Sequence, residues 1–492
     1  MGGESMTGGP DVSWLNAAHR HSAWDQLRVV VVGGLGVSGF AAADALQHLG
    51  AHVTVLDDRP DAGGLERATL LEILGVDVRQ GEGSTDALPD VADLVIASSG
   101  APPTLPVLVT AMEQGRTVWG DVELAWRLRD PEHHTPWLCL TGTNGKTTTV
   151  RMLESILQAE GLLAVAAGNV GLPVCEVVMS PDPLDVVAVE LSSYQLHWSS
   201  SVSAQAAAVL NLAPDHLSWH GGYASYRAAK SKVYEHCQLA CVYNVEDPAT
   251  RELVEAADVV EGCRAIGFTI GVPSVGMVGL VDDVLADRAF IEGRERNAAE
   301  LASLSDLSSS APHNVANALA AAALGRAHGV SVGAVRRGLR SFRLDSHRIQ
   351  VVRESDGAVF VDDSKATNPH AAAASLLSYE SAVWIAGGLA KGAEFDELVL
   401  AVKSRLRGVV LMGADRATIG GALARHAPDV PVIEVAGTDT GVMKRVVDAA
   451  VSLAVPGDIV LLAPACASQD LFADYSARGD AFAAAVRRVG GH

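Results

Sequence analysis

The stretch TGTNGKTTT, residues 141–149, decides how the rest of the chain reads. The short apolar run WLCLTG (137–142) leads into it. KTTTVRMLESILQAEG (146–161) follows, with Val150, Leu153, Ile156 and Leu157 on one helical face. A Gly-containing loop between a buried strand and a helix is the context of a phosphate loop, where backbone N–H groups and the helix N-terminus meet anionic oxygens. Gly142 and Gly145 allow the tight turn, Lys146 suits the β and γ phosphates, and the Thr147 hydroxyl suits Mg²⁺. The string departs from the common form, because Leu140 stands where its first glycine would be. The bland alternative is a strand–helix turn with a capping threonine. Gly-Lys-Thr-Thr at a helix start is rarely that idle.

On both sides of this loop, Val- and Ile-rich runs alternate with amphipathic stretches, the pattern of parallel sheets covered by helices. Upstream lie RVVVVGG (28–34), AHVTVLDD (51–58) and ADLVIASSG (92–100), with a helix closing at Gly50 and a linker at DPEHHTP (130–136). The central block adds DVVAVELSS (185–193), AQAAAVLNL (204–212) and the helix HNVANALAAAALG (313–325). An irregular acidic region at 271–310 reads as a hairpin plus loop. After a hinge at RLDSHR (343–348) come AVFVDDS (358–364), AVWIAGG (382–388), GVVLMGAD (408–415) and DIVLLAPA (458–465). The predicted fold is α/β with three domains, each a largely parallel sheet with covering helices. An extension (1–27) precedes a Rossmann-like domain (28–135), a P-loop-type central domain (136–344) and a Rossmann-like C-terminal domain (345–492).

Composition bounds the function. With 49% hydrophobic and 19% charged residues in 492, the chain builds packed cores and is not a disordered one. Its net charge of −21 repels nucleic acid and anionic membrane, so neither is expected as a partner. Anionic substrates would need local Lys, Arg, metal ions or helix N-termini. Of six cysteines, Cys237 and Cys241 form the one close pair, with no second pair to complete a zinc site. They read as reduced packing thiols of a cytoplasmic protein. The first 28 residues lack the cationic start and apolar core of a signal peptide, and Met6 occupies the Ser/Thr position of a myristoylation signal. No apolar run reaches the ~18 residues of a membrane span.

Other residues are candidates by position. GLGVSG (34–39) follows a strand and fits G-x-G-x-x-G, with Asp57 ending the next strand and Asp58 and Arg59 beside it. Alone, this pattern also arises from packing, and Asp58–Arg59 reads equally as a solvated turn. Glu190 ends a buried strand, and Asp215 and His216 follow another. Ligands gather at such strand ends. His216 suits a metal, or is a bland surface histidine. Lys230, in a helical stretch, reads by spacing as a solvated lysine. In the last domain, Lys365 and Thr367 of DDSKATNP (362–369), Lys391 after AGG, and Ser468 of PACASQD (464–470) all lie at strand C-termini. Ser468 is expected at a helix N-cap. Together these suggest a shared anion pocket.

These residues together resemble the Mur ligase family, ATP-dependent amide-forming enzymes of peptidoglycan precursor synthesis. GTNGKTT, GNVGLP (168–173), ELSSYQL (190–196), NLAPDHL (211–217), YRAAK (226–230) and the HN–AN of 313–317 carry the likeness, which spans the chain after about residue 28. DDSKATN and PACAS look like the branch that adds D-glutamate to UDP-N-acetylmuramoyl-L-alanine. The resemblance implies that Val37, Ser38, Asp57, Asp58, Arg59 and Gly100, with Asn169 and Ser192, hold the UDP-sugar peptide. It implies ATP at Gly142, Thr143, Asn144, Gly145, Lys146, Thr147 and Thr148, with Asn314, Asn317, Arg348 and Asp363 near adenosine or its phosphates. Two Mg²⁺ would use Thr147, Glu190, His216 and Lys230, the last as a CO₂-derived carbamate; Lys146, His216 and Lys230 would be catalytic. D-glutamate would meet Lys365, Thr367, Lys391, Ser468 and Tyr475, although Gln469 replaces an apolar residue of the family pattern. The likeness further implies a cytoplasmic monomer working beside other cell-wall enzymes in growth and division. Three alternatives stay open: a sister ligase with another amino acid, an NAD-linked oxidoreductase built on GLGVSG, and a non-catalytic nucleotide-binding scaffold.

Overall fold

The computed structural model describes residues 24–130, 134–355, 357–437, 439 and 441–489. Most of the N-terminal extension and residues 131–133 of the first linker lie outside them. The first sheet contains β1 (Arg28–Val32), β2 (His52–Asp57), β3 (Asp77–Gln80), β4 (Leu94–Ala97) and β5 (Thr117–Gly120), in the order β3-β2-β1-β4-β5. All of its pairings are parallel. β1 and β4 have their valines, leucine and isoleucine buried on both faces, which is why these runs lack alternation. Gly39, in the helix Val37–His48, lies so close to the Gly33 carbonyl and Gly34 backbone that a Cβ would collide with both. The third glycine of GLGVSG thus sets how tightly helix meets strand.

The second sheet contains β6 (Trp137–Thr141), β7 (Ala164–Gly168), β8 (Val186–Glu190), β9 (Ala206–Val209), β10 (Ala240–Asn244), β11 (Arg264–Thr269), β12 (Met277–Val281), β13 (Val284–Asp287) and β14 (Ala299–Ser303). Its order is β14-β13-β12-β11-β10-β9-β6-β8-β7. The region expected as hairpin plus loop is the antiparallel edge β12-β13-β14, one strand more than a hairpin. Buried Asp287 anchors it, accepting from the Ala289 and Phe290 N–H groups and pairing with Arg326 at 3.0 Å.

The third sheet contains β15 (Gln350–Ser355), β16 (Ala358–Asp362), β17 (Ala382–Gly387), β18 (Leu406–Met412), β19 (Val432–Glu434) and β20 (Ile459–Leu462), in the order β15-β16-β20-β17-β18-β19. Only the β15–β16 pairing is antiparallel. The first two sheets belong to one compact unit, which runs to Leu307 and includes Val315–Phe342. The second unit holds the third sheet, with Ser308–Asn314 and the chain from Arg343 onward. No described helix is long and apolar enough to cross a membrane.

Candidate active site

In an open parallel sheet, ligands collect beyond the strand C-termini where the strand order reverses. In the first sheet that point lies between β1 and β4, and a cleft of about 1080 Å³ opens there. Val37, Ser38, Asp57, Asp58, Arg59 and Gly100 line it, together with Asn169 and Gln195 from the second sheet's side. Some of these side chains already have protein partners. Asp57 accepts from the Leu35 and Arg59 N–H groups, and Asp58 accepts from Thr85 through both backbone and hydroxyl. Ser192 caps the helix Ser193–His197 in a reciprocal capping box with Gln195, which itself lines the cleft. Its hydroxyl is occupied by the Gln195 carboxamide, which in turn donates to buried Asp121 at 3.1 Å. Sequence reading missed Gln195, because a capping box conceals its second role.

The loop 141–145 sits at the analogous point of the second sheet, between β6 and the helix Lys146–Ala159. Gly145 caps that helix at φ +82°, a conformation that favours glycine. A Cβ there would strike the Asn317 carboxamide, so Asn317 packs directly on the loop. Asn211 fixes the loop's path: its backbone carbonyl accepts from Thr143 N–H and its side chain from Asn144 N–H at 2.8 Å. The Thr143 hydroxyl is bonded to Ala213 and Tyr226, which tethers the loop to the segment beyond β9 and to the helix of Lys230. The buried Thr148 and the first-turn Thr147 follow at the helix start.

Two lysines converge on this loop. The Lys146 ammonium donates to the Gly142 carbonyl at 2.9 Å and to that of Thr143 at 2.8 Å. Lys230 donates to the same Gly142 carbonyl at 2.8 Å and to the Thr141 hydroxyl at 3.1 Å. Spacing alone made Lys230 a solvated helical lysine; the structure corrects this, for it is only 2% exposed. The helix Tyr223–Ser231 turns Tyr226 and Lys230, four residues apart, toward the sheet. Burial holds the Lys230 amine well below the ordinary lysine value, and the nearby Lys146 charge pushes it the same way.

Glu190, 1% exposed at the end of β8, accepts from the Asn169 carboxamide at 2.8 Å through one oxygen. Its other oxygen is buried without a hydrogen-bond partner among the described residues. An orphaned buried carboxylate oxygen is costly unless a cation meets it. Hard oxygen donors are what Mg²⁺ takes, so the donor chemistry here fits that ion. His216 sits at φ 52° just before the helix Leu217–His220. Its ring is 48% exposed, 3.6 Å from an Asp215 oxygen and packed against Tyr194. Neighbouring His220 was missed by sequence reading. It bonds the Ser193 hydroxyl at 2.9 Å, and burial lowers its pKa to about 4, so it is neutral at physiological pH.

In the second unit, β16, β20 and β17 are adjacent and their C-terminal loops are stitched together. Ala465 N–H donates to Ala366, and Leu389 and Ala467 exchange a pair of backbone bonds. These bonds gather the loops bearing Lys365, Thr367, Lys391 and Ser468 at one sheet edge. The Lys365 ammonium lies 3.7 Å from the centre of the Tyr475 ring, within cation–π reach. Ser468 is not a helix N-cap: its carbonyl accepts from Leu471 and Phe472 in tight turns, and Asp474 caps the helix Tyr475–Arg487. Buried Arg478, also missed by sequence reading, ties this edge by donating to the Ser364 hydroxyl and carbonyl and to the Cys466 carbonyl. Burial lifts the pKa of Asp363 to about 6, against the opposing pull of Arg348. Asn314, in the same unit, donates to the Ser309 carbonyl at 2.7 Å.

Three family models match in succession: a Mur ligase MurD-like N-terminal domain over 28–120, the Mur ligase middle domain over 140–325, and the Mur ligase glutamate ligase domain over 347–466. The chain is 59% identical to a UDP-N-acetylmuramoylalanine–D-glutamate ligase of Streptomyces avermitilis, covering 94% of this chain and 98% of that protein. It is 45% identical to the ligase of the same name from Mycolicibacterium smegmatis, over 94% and 97%. Among solved structures, the UDP-N-acetylmuramate–alanine ligase of Thermotoga maritima aligns with TM-score 0.54 at 18% identity, over 94% of this chain and 99% of that one. A pseudomurein peptide ligase of Methanothermus fervidus aligns with TM-score 0.56 at 16% identity, over 94% and 100%. At such identities the two structures speak for the fold alone.

Proposed function

The chain belongs to the Mur ligase family, and from that premise we propose that it joins D-glutamate to UDP-N-acetylmuramoyl-L-alanine at the expense of ATP. The observation that carries this reading is the convergence of Lys146 and a buried Lys230 on the Gly142 carbonyl of a phosphate loop. A carboxylate resists nucleophiles at neutral pH because of its charge. Its oxygen therefore attacks the ATP γ-phosphorus, ADP leaves, and an acyl phosphate forms. The amine of D-glutamate then attacks the acyl carbon, phosphate departs with the C–O electron pair, and the amine proton passes to solvent.

The first step brings anions together. Two like charges 4 Å apart repel by about 4 kcal/mol at an effective dielectric of 20. Lys146 would turn from its loop carbonyls to the phosphates and offset part of that repulsion. Thr147 and Glu190 would hold Mg²⁺, and His216 is a further candidate ligand. When bound, that ion supplies positive charge against the phosphate oxygens. As a nitrogen donor Lys230 suits Mg²⁺ poorly; after reaction with CO₂ and loss of a proton it would present carbamate oxygens. Carbamylation requires a neutral amine, which only about 1 in 2,500 free lysines is at pH 7. The burial of Lys230 shifts its amine toward that neutral form. The cleft beside β1 would take the UDP-sugar peptide, and Lys365, Thr367, Lys391 and Tyr475 the D-glutamate carboxylates. The reading includes action in the cytoplasm.

The test is release of ADP and phosphate by the purified chain with each substrate omitted in turn and a panel of amino acids offered. Turnover that requires both UDP-N-acetylmuramoyl-L-alanine and D-glutamate supports the reading. Turnover with another amine, or of a nicotinamide, overturns it.

A further inference from the structure

Cys237 and Cys241 have a third companion that no local motif announces. The sulfur atoms of Cys237, Cys241 and Cys263 all lie within 4.8 Å of one another, and those of Cys241 and Cys263 are 3.8 Å apart. The fold builds this cluster from three places. Cys241 is the second residue of β10, and the parallel register pairing Ala240 with Arg264 puts Cys263 just before β11, on the same face. Cys237 follows the short turn Lys232–Tyr234. Backbone bonds from Val260 to Cys237, from Cys263 to Val260 and from Arg264 to Leu239 hold the three segments together. Cys237 and Cys241 are buried, and Cys263 is partly exposed.

Two thiolates, each about 2.3 Å from one tetrahedral ion, stand about 3.8 Å apart. Cys241 and Cys263 already have that separation, and the Cys237 sulfur lies within 4.8 Å of both. A disulfide would instead bring two sulfurs to about 2.05 Å and strand the third. We propose that Cys237, Cys241 and Cys263 form a three-thiolate site for Zn²⁺, with solvent as the fourth ligand entering past Cys263. Three S–Zn bonds form, three S–H bonds break, and the three protons go to solvent. No electron is transferred.

The site lies at the N-terminal ends of β10 and β11, the sheet edge opposite the phosphate loop. Its role is therefore structural: it pins the segment that follows the helix of Lys230 to the sheet. Ligation of nucleotide and substrate does not pass through it, so its failure leaves the proposed function standing.

The test uses the full-length, reduced, untagged chain, titrated with Cd²⁺ and Zn²⁺ in competition with a chelator. One equivalent of Cd²⁺ should give a sulfur-to-metal charge-transfer band and a ¹¹³Cd resonance in the thiolate-rich range. Zn²⁺ should raise the melting temperature. Cys263→Ser, at the partly exposed position, should weaken binding by about ten-fold or more and shrink the thermal shift while keeping ligase turnover. Absence of the band and the resonance in the unaltered chain overturns the site, whatever the variant does. So does a band of full strength in Cys263→Ser.

Discussion

Replacing Lys230 by Met separates what this residue costs the fold from what it gives the reaction. The free amine titrates at an ordinary value of 10.5, and burial with the Lys146 charge lowers that well down in the folded chain. Below pH 10.5 the unfolded chain therefore binds a proton that the folded chain refuses. Each pH unit descended from there favours unfolding by about 1.4 kcal/mol, until the lowered folded value is reached. In the other direction, Lys230→Met forfeits two hydrogen bonds, about 1 kcal/mol each. Their acceptors keep other partners: Thr141 is bonded to the Leu191 carbonyl, and the Gly142 carbonyl still receives Lys146. The variant should thus be less stable by about 2 kcal/mol near pH 10.5 and overtake the parent roughly one and a half units lower, near pH 9. Urea unfolding of both proteins between pH 7.5 and 10, free of bicarbonate and metal, reads the difference directly. Ligase turnover of the variant should be lost throughout. A stability difference that does not change with pH, or one that moves against the variant as pH falls, refutes the reasoning.

Gly145→Ala forces a Cβ into the left-handed region at about 1 kcal/mol and displaces Asn317 from the loop, so the KM for ATP should rise about ten-fold while the melting temperature changes little. Glu190→Gln removes the charge behind the orphaned oxygen; turnover should fall about a hundred-fold and require more Mg²⁺, as an ADP-release assay across Mg²⁺ concentrations will show. Lys365→Ala should raise the KM for D-glutamate by about ten-fold or more and leave that for ATP nearly unchanged, since the proposed function assigns the two substrates to different loops.

Much of this was legible in the sequence because period and punctuation agree. The run WLCLTG, the glycines at 142 and 145 and the helical face of Val150, Leu153, Ile156 and Leu157 fix a strand, a loop and a helix, and the chain folds that way. Glu190 was placed by the rule that ligands meet strand ends. Lys230 could not be, since which face of a helix is buried depends on what packs over it, and Tyr226 beside it looks as much like a surface residue. Ser468 was misread because a serine after a strand signals a helix start equally well when the chain takes two turns first. Cys263 was invisible as a partner of Cys241 because the register of two parallel strands, not sequence spacing, brings them together. The acidic stretch 271–310 gave weak signals, and Asp287, at the end of its middle strand, finds its partner Arg326 on a helix distant in sequence.

The central claim is that ATP activates a carboxylate by transferring a phosphoryl group to it. UDP-N-acetylmuramoyl-L-alanine labelled with ¹⁸O in its alanyl carboxylate tests this when turned over with ATP and D-glutamate. The account expects one labelled oxygen in the phosphate released for each amide formed. Amide formation with unlabelled phosphate would contradict it.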